Sequence, residues 1–253
     1  MGGLWTRSWE ASDLALAAYD SQSTHRRWEY KNACGVLSFE DGVLLIGIAG
    51  TNDSIDLYQD VNVRPRNLYD WSFMADIPLC KDARDVVSTV GFLDYAAFCY
   101  IGITRAINEM GIDRAAIRGI VLSGHSLGAA AAQLLQMTPR FESAEAHLYG
   151  SPKVWKRGSR VPERLRTHAW QVTDLVTYAP ISCKHATCQN LIVTGGVPHS
   201  RIPFSRIPVM ALLAAFVWVT GGWKSLLTRF GVSVKNGLFT PHHMKTYRKL
   251  LER

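Results

Sequence analysis

Short apolar runs and segments of helical periodicity follow one another along the first half of the chain. Residues 33–39 and 43–48 are apolar runs joined by the triplet Glu-Asp-Gly, an arrangement that predicts a β-hairpin. In residues 90–110 apolar side chains recur at roughly helical spacing, which predicts a long helix. The recurring side chains are Phe92, Tyr95, Ala96, Cys99, Ile103 and Ile107. An earlier helix is predicted to begin at Ser12 or Asp13, since either side chain can cap a helix.

The second half of the chain continues with strands and helices in alternation. Residues 120–122 form a short apolar strand, and a glycine turn separates them from residues 127–137, whose four successive alanines favour helix. Residues 146–149 and 168–172 are predicted as further strands. This alternation indicates an α/β fold with a mostly parallel central sheet covered by helices on both faces. In such sheets, ligands bind at the carboxyl ends of the strands.

Composition and length indicate one folded domain. The chain has 253 residues, of which 47% are hydrophobic and 19% charged, far from the polar and charge-rich composition of disordered chains. It contains no internal repeat and no low-complexity linker. We therefore predict a single domain over residues 1–253, with an apolar and basic insertion at about residues 205–235.

The net charge of +7 is unevenly distributed. Between Asp174 and Glu252 there are nine Lys and Arg residues and no acid, which leaves residues 1–174 at −2. Residues 207–223 carry no charge and are rich in bulky apolar side chains. A basic region with such neighbours favours peripheral contact with an anionic membrane over contact with nucleic acid. The alternative is a buried core helix, and a spanning helix is less favoured because the run is shorter than about 18 residues.

The N-terminus and the cysteines bear on the compartment. Residues 1–7 are not followed by a long apolar run, so no standard secretory signal is predicted. The five cysteines are odd in number and fit free thiols in a reducing cytosol. We expect a protein in the cytoplasm or at a membrane surface. Cys183 and Cys188 form an alternative disulfide pair, whereas a zinc site that combines them with His185 lacks further ligands.

Candidate chemistry centres on the run Gly124-His125-Ser126-Leu127-Gly128, between the apolar strand and the alanine-rich helix. A serine hydroxyl is a poor nucleophile until a base removes its proton and donors receive the developing oxyanion. Gly-X-Ser-X-Gly alone is a weak signal, but a strained strand-turn-helix elbow needs small residues at Gly124 and Gly128. We predict Ser126 as the nucleophile; the alternative is a glycine turn whose serine caps the helix.

An oxyanion hole needs two backbone N–H groups. One follows the nucleophile, here Leu127, and the other belongs to a loop after an earlier strand. Residues 46–51 supply such a loop, in which Thr51 offers its N–H and hydroxyl. A plain polar turn explains the same residues equally well.

The acid and the base should follow the serine in the order acid, then histidine. Asp174 is the only later acid that directly follows an apolar strand and still has histidines after it. Its alternative role is to cap a loop. The base is one of His185, His199, His242 and His243, and their spacing does not decide between them.

Together these residues resemble the class 3 lipase family, the α/β-hydrolases typified by fungal triacylglycerol lipases. The resemblance runs from about residue 14 to residue 251. The matching segments are residues 44–51 with Asp56 and Asp60, residues 90–95, residues 124–130, residues 149–154, and residues 174–176 with Pro180. Residues 242–247 resemble the family's C-terminal His-Ser-Met-X-X-Tyr, in which the first histidine is the base. The resemblance thus implies His242 as the base and His185 as a non-catalytic histidine.

The resemblance implies hydrolysis of lipid or other carboxylic esters through an acyl-enzyme, without a metal or organic cofactor. Ser126 attacks, His242 transfers the proton and Asp174 orients the imidazole, while the N–H groups of Thr51 and Leu127 stabilise the oxyanion.

Two further features follow from the comparison with the family. The family's mobile lid corresponds to residues 68–79, for which a packed connecting segment is the alternative. Ala49 replaces the usual arginine before Gly-Thr, and Val90 stands where histidine is common, so the support of the oxyanion loop is left open.

Three functions remain open at the level of sequence. The first is a lipase or phospholipase A that acts at a membrane, favoured by the apolar and basic residues of the predicted insertion. The second is a soluble esterase for short acyl chains, with the apolar run of residues 207–223 buried. The third is a non-catalytic membrane-binding protein on a hydrolase scaffold, suggested by the departures at Ala49 and Val90.

Overall fold

The structure of the chain is a computed structural model. It describes residues 8–50, 64–83, 85–157, 165–171, 175–178, 180, 183–185, 188–194, 244–245 and 247. The predicted insertion at about residues 205–235 and the start at residues 1–7 lie outside the described residues.

A seven-stranded sheet forms the centre of the described part of the chain. Its strands, in spatial order, are β1 (Arg26–Tyr30), β2 (Ala33–Glu40), β3 (Val43–Ile48), β6 (Gly119–His125), β7 (Glu145–Tyr149), β9 (Leu165–Gln171) and β11 (Cys188–Thr194). Strand β2 is antiparallel to both of its neighbours, β1 and β3, and every pairing from β3 to β11 is parallel. The mostly parallel sheet predicted from the sequence is therefore confirmed.

Two small antiparallel ladders lie beside this sheet. They pair β4 (Pro65–Asn67) with β5 (Val87–Thr89), and β8 (Trp155–Lys156) with β10 (Cys183–Lys184).

The predicted hairpin is formed by β2 and β3. Glu40 pairs with Val43, so the connection is the two-residue turn Asp41-Gly42. Both turn residues have positive φ, 49° and 75°. Such turns match the right-handed twist of the strands that they join, and Asp-Gly is among their preferred sequences.

Helices cover both faces of the sheet. They are α1 (Ser8–Ala17), α2 (Leu68–Ala75), α3 (Val90–Glu109) and α4 (Leu127–Leu135). Leu14 of α1 packs with Val36 on one face. Residues of α3 and α4 pack with Leu37, Ile46 and Ile48 in the main core on the other face. The covering by helices on both faces agrees with the prediction.

Helix α3 confirms the predicted amphipathic pattern. All six apolar positions that were expected to recur on one face are buried. Among the described helices, α3 alone is long and apolar enough to cross a membrane by length and composition. More than half of its most apolar stretch, 56%, is buried inside the fold, so core packing accounts for its apolar character.

The boundaries of two helices differ from the prediction. Helix α1 begins at Ser8, so Ser12 and Asp13 lie inside it, and Ser12 is fully buried instead of capping the start. Helix α4 ends at Leu135 and not at residue 137, because the N–H groups of Met137 and Thr138 bond three residues back instead of four. Local sequence fixes helix ends less well than helix centres.

Residues 68–79, the candidate lid, begin with α2. Leu68 and Trp71 are buried in the main core, as is Ile77 just after the helix. Tyr69 is 54% exposed. This packing fits the connecting-segment alternative, and the lid role stays a prediction.

Cys34 and Cys99 carry free thiols, which confirms the free-thiol expectation for these two residues. Cys183 is buried in the short strand β10, and its alternative pairing with Cys188 stays a prediction.

Candidate active site

Ser126 lies at the turn between β6 and α4 in a backbone conformation that side chains rarely adopt. Its φ is 57° and its ψ is −123°. The N–H of Ser126 donates a hydrogen bond of 3.0 Å to the carbonyl of Tyr149 at the end of the neighbouring strand β7. This is the strand-turn-helix elbow that exposes a nucleophile at the carboxyl edge of an α/β sheet. The prediction that Ser126 occupies such an elbow is confirmed.

The two glycines of the elbow are required by close backbone approaches. A Cβ at Gly124 would meet the carbonyl oxygen of Gly128 on α4. A Cβ at Gly128 would meet the carbonyl oxygen of Ile48 at the end of β3. Only glycine at both positions lets the helix start so close to the two strands, as the sequence predicted.

Leu127 opens α4 directly after the serine. The carbonyl of Ser126 accepts hydrogen bonds from the N–H groups of Ala129 and Ala130, at 3.0 and 3.2 Å. The N–H of Leu127, as the first helical residue, has no partner within the helix, and the helix dipole adds partial positive charge there. Leu127 therefore meets the requirement for one oxyanion donor.

The loop after β3 lies against the nucleophile. A Cβ at Gly50 would come within 2.8 Å of both the Cβ of Ser126 and the carbonyl oxygen of His125. Two tyrosines hold this loop: the N–H of Gly50 donates to the Tyr19 hydroxyl at 2.7 Å, and the Tyr95 hydroxyl donates to the carbonyl of Ala49 at 2.7 Å. Thr51, the predicted second donor, follows Gly50 and lies outside the described residues.

The predicted acid, Asp174, also lies outside the described residues. In the sequence it stands between β9 and the 3₁₀ helix Leu175–Tyr178, where Val176 and Thr177 are fully buried. Strand β9 lies next to β7 and runs parallel to it, and β7 lies next to the nucleophile strand β6. Because these strands are parallel, their carboxyl ends reach the same edge of the sheet.

Of the four candidate bases, only His185 belongs to the described residues. Its Nε2 lies 2.7 Å from the carbonyl oxygen of Thr177, to which it donates. This hydrogen bond leaves Nδ1 as the ring nitrogen that can accept a proton, and the non-catalytic role implied by the resemblance stays a prediction. His199, His242 and His243 lie outside the described residues.

The C-terminal residues Met244 and Tyr247 pack beside the elbow. Both are buried in a cluster with Ala11, Ala15 and Tyr149. The ring of Tyr247 also stands edge-on to His125, with centroids 6.0 Å apart. Met244 and Tyr247, which follow His242 and His243 in the sequence, therefore lie beside the elbow.

Three buried tyrosines around the elbow carry no charge. Burial raises the pKa values of Tyr19, Tyr95 and Tyr149, so these phenols keep their protons at neutral pH. Among the described residues, no group of three His, Cys, Asp or Glu could hold a metal ion. Ser126 itself is 2% exposed.

Tyr19 and Tyr95 were not predicted as site residues. Tyr95 was predicted only as a core position of α3, and Tyr19 follows α1 without any motif. Their partners on the loop stand 46 and 31 positions away in the sequence, for Tyr95 and Tyr19 respectively, so no local pattern indicates them.

Comparison with solved structures identifies fungal lipases as structural relatives. The Lip2 lipase of Yarrowia lipolytica has a TM-score of 0.58 and 17% identity, covering 77% of this chain and 80% of its own. A triacylglycerol lipase from Penicillium expansum has a TM-score of 0.52 and 14% identity, over 71% and 76%. A mutant form of MDLA from Penicillium cyclopium has a TM-score of 0.50 and 16% identity, over 78% and 80%.

No protein-family model and no curated protein sequence matches the chain. At such identities the likeness to solved structures concerns the fold alone. The elbow at Ser126, the parallel sheet and these structural relatives all indicate the same fold. The chain has the α/β-hydrolase fold in the form found in fungal class 3 lipases.

Proposed function

We propose that the chain is a serine hydrolase that cleaves carboxylic ester bonds of lipids, as a lipase or phospholipase A, through an acyl-enzyme at Ser126. The observation that carries this proposal is the positive φ of Ser126. Such a conformation costs roughly 1–3 kcal/mol and persists only where the surrounding structure imposes it. A serine that merely caps a helix needs no such strain, whereas a nucleophile that must project from the sheet edge does.

The chemistry follows from the groups around the elbow. The Ser126 Oγ attacks the ester carbonyl carbon while His242 takes its proton, and Asp174 orients the imidazole. The carbonyl oxygen becomes an oxyanion that accepts hydrogen bonds from the N–H groups of Leu127 and Thr51. His242 then gives the proton to the leaving alcohol, and water hydrolyses the acyl-enzyme by the reverse sequence of proton transfers.

The assignment of His242 is supported by the described residues that follow it. Met244 and Tyr247 are buried against Tyr149, whose carbonyl holds the N–H of Ser126. His242 precedes Met244 by two residues, and each residue spans at most about 3.6 Å.

Lipid as the substrate is supported by two observations. The structural relatives are named as lipases. The burial of Ser126 means that an ester reaches it only after the covering residues move, as in hydrolases that open at an interface. Contact with an anionic membrane is supported by the charge-free residues 207–223 and the basic residues around them, and a place in the cytoplasm by the odd number of cysteines.

The test measures fatty-acid release from phospholipid and triacylglycerol, with Ser126→Ala as the matched inactive variant. We expect release by the parent protein, a loss of at least about 10³-fold in Ser126→Ala, and stoichiometric labelling of Ser126 by a fluorophosphonate. Equal release by Ser126→Ala would refute the assignment. Failure to label would favour a non-catalytic membrane-binding protein.

Three histidine variants identify the base. We expect His242→Ala to lose turnover by a factor similar to that of Ser126→Ala, and His243→Ala and His185→Ala to retain most of it. A loss of turnover confined to His243→Ala would identify His243, and not His242, as the base.

Two measurements separate a lipase from a soluble esterase. Rates on a short-chain ester below and above its solubility limit should show a rise at the interface. Sedimentation with vesicles containing phosphatidylglycerol should exceed sedimentation with pure phosphatidylcholine. Equal rates per ester and no vesicle binding would favour the short-chain esterase.

A further inference from the structure

The peptide group between Ala49 and Gly50 has both of its polar atoms bound by tyrosine hydroxyls. The carbonyl oxygen of Ala49 accepts from the Tyr95 hydroxyl at 2.7 Å. The N–H of Gly50 donates to the Tyr19 hydroxyl at 2.7 Å. Since both atoms belong to the same planar unit, rotation of that plane breaks both hydrogen bonds together.

The two tyrosines hold this peptide from different parts of the fold. Tyr19 follows α1, which packs on one face of the sheet, and Tyr95 lies in α3 on the opposite face. Tyr95 is only 3% exposed. Because each ring is anchored in its own packed layer, the peptide plane is fixed by rigid elements and not by neighbouring loop residues.

Tyr19 also joins the loop to the nucleophile elbow. Its hydroxyl oxygen lies 2.7 Å from the Nδ1 of His125, the residue before Ser126. This oxygen also accepts from the N–H of Gly50, and a phenol oxygen has a second lone pair besides its proton. The contact therefore joins Tyr19 to His125 with either group as the donor.

Ala49 makes this arrangement necessary. Its side chain is a methyl group, so it offers no polar atom through which the rest of the fold could hold the loop. At this point the loop can therefore be held only through the backbone, by the carbonyl oxygen of Ala49 and the N–H of Gly50. Burial keeps both phenols protonated by raising their pKa values, so the two hydrogen bonds persist across the neutral range.

We propose that Tyr19 and Tyr95 are positioning residues that lock the Ala49–Gly50 peptide plane against Ser126, at the start of the loop from which the proposed function draws its second oxyanion donor. This inference rests on the proposed function. The plane ends at the Cα of Gly50, so a change in its orientation changes where the chain continues from that atom. A fixed starting plane helps to preorganise the donor, and preorganisation lowers the barrier without any change in substrate binding.

The experiment uses Tyr19→Phe, Tyr95→Phe and the double variant on a water-soluble short-chain ester. Each substitution removes one hydroxyl and keeps the packed ring. We expect kcat to fall roughly 10- to 100-fold in each single variant, less than the ~10²–10³-fold that follows outright deletion of an oxyanion donor. KM should stay within about twofold, since the lock acts on the transition state.

The matched control is Tyr100→Phe, which removes a hydroxyl from the same helix, α3, where Tyr100 packs on Phe141. We expect its kcat to equal that of the parent. Rates are normalised to the folded fraction measured by circular dichroism, because a merely structural role would lower stability and leave kcat per folded molecule unchanged. A second readout is amide hydrogen exchange at Gly50, which should accelerate in Tyr19→Phe and not in Tyr100→Phe.

The outcomes separate this inference from the proposed function. If turnover depends on Ser126 but both phenylalanine variants keep kcat within twofold, the lock is refuted and the hydrolase assignment stands. If the parent protein shows no turnover that depends on Ser126, the proposed function fails and the catalytic role of both tyrosines fails with it. A drop in kcat at constant KM, together with faster Gly50 exchange, supports the lock.

Discussion

The indole N–H of Trp155 donates a hydrogen bond of 2.9 Å to the side-chain oxygen of Gln133, two helical turns after Ser126. The amide nitrogen of Gln133 in turn donates to the hydroxyl of Ser151 at 2.8 Å. All three side chains are buried. The side-chain amide of Gln133 therefore joins α4, which starts directly after Ser126, to the turn after β7. Tyr149, the last residue of β7, accepts the hydrogen bond from the N–H of Ser126.

Replacement of Gln133 by leucine should destabilise the fold by about 2–4 kcal/mol. The substitution leaves the N–H of Trp155 without its acceptor and the hydroxyl of Ser151 without a donor, and each unsatisfied buried group costs about 1–3 kcal/mol. Urea unfolding measures the free energy. In a Trp155→Phe background the same substitution should cost less, since one of the stranded groups is already gone. Equal costs in both backgrounds would show that the indole bond contributes nothing.

The elbow was predictable because its signal is local. Gly124, Ser126 and Gly128 stand within five residues, and the apolar strand and alanine-rich helix on either side show where the turn lies. Gln133 gave no such signal, since an alanine-rich segment predicts a helix whether or not one of its side chains is a buried connector. Its partners, Ser151 and Trp155, are 18 and 22 residues away.

The same physical limit applies to the ends of α1 and to the oxyanion loop. Ser12 has a good capping side chain, but tertiary packing buries it inside the helix and overrides that local preference. Tyr19 reaches His125 across 106 positions of sequence, a contact that only the folded sheet creates. Patterns within a few residues predicted the strands and the elbow at Ser126. Contacts between distant segments required the structure.

Gly128→Ala should destabilise the protein by about 3 kcal/mol or more and abolish activity. The added methyl would meet the backbone carbonyl groups of Ile48 and Ala49, which cannot move aside as a side chain can. Gly111→Ala is the control, since nothing lies within 4 Å of its Cβ position and only its φ of 64° is unfavourable. We expect about 1 kcal/mol there. Thermal unfolding measures the loss of stability in each variant. Equal losses in Gly128→Ala and Gly111→Ala would contradict the steric explanation.

Removing one partner of the buried pair of Glu145 and His147 should cost far more stability than removing one partner of the exposed pair of Arg26 and Glu109. In the first pair Nε2 lies 2.8 Å from the carboxylate, with side chains 2% and 5% exposed. In the second the separation is 3.1 Å, but the side chains are 56% and 49% exposed. His147→Leu strands a buried carboxylate and should cost about 3–5 kcal/mol, against less than about 1 kcal/mol for Glu109→Gln.

A double variant tests the cause of that loss. If His147→Leu destabilises by stranding the carboxylate, adding Glu145→Leu should recover part of the lost free energy of unfolding. A further loss in the double variant would show that the packing of the two side chains, and not their pairing, was responsible.

Gly50→Ala should inactivate the protein while leaving most of its stability in place. The new methyl would lie 2.8 Å from the Cβ of Ser126 and 2.9 Å from the Tyr19 hydroxyl, so the loop has to move away from the nucleophile. Gly50 itself has no side chain in the core clusters, so we expect the shift to displace the second oxyanion donor of the proposed function more than the packed layers. Labelling of Ser126 by a fluorophosphonate should slow by about 100-fold or more, since the reaction needs the same oxyanion hole. Labelling at the parent rate in a folded Gly50→Ala protein would mean that this loop does not supply the second donor.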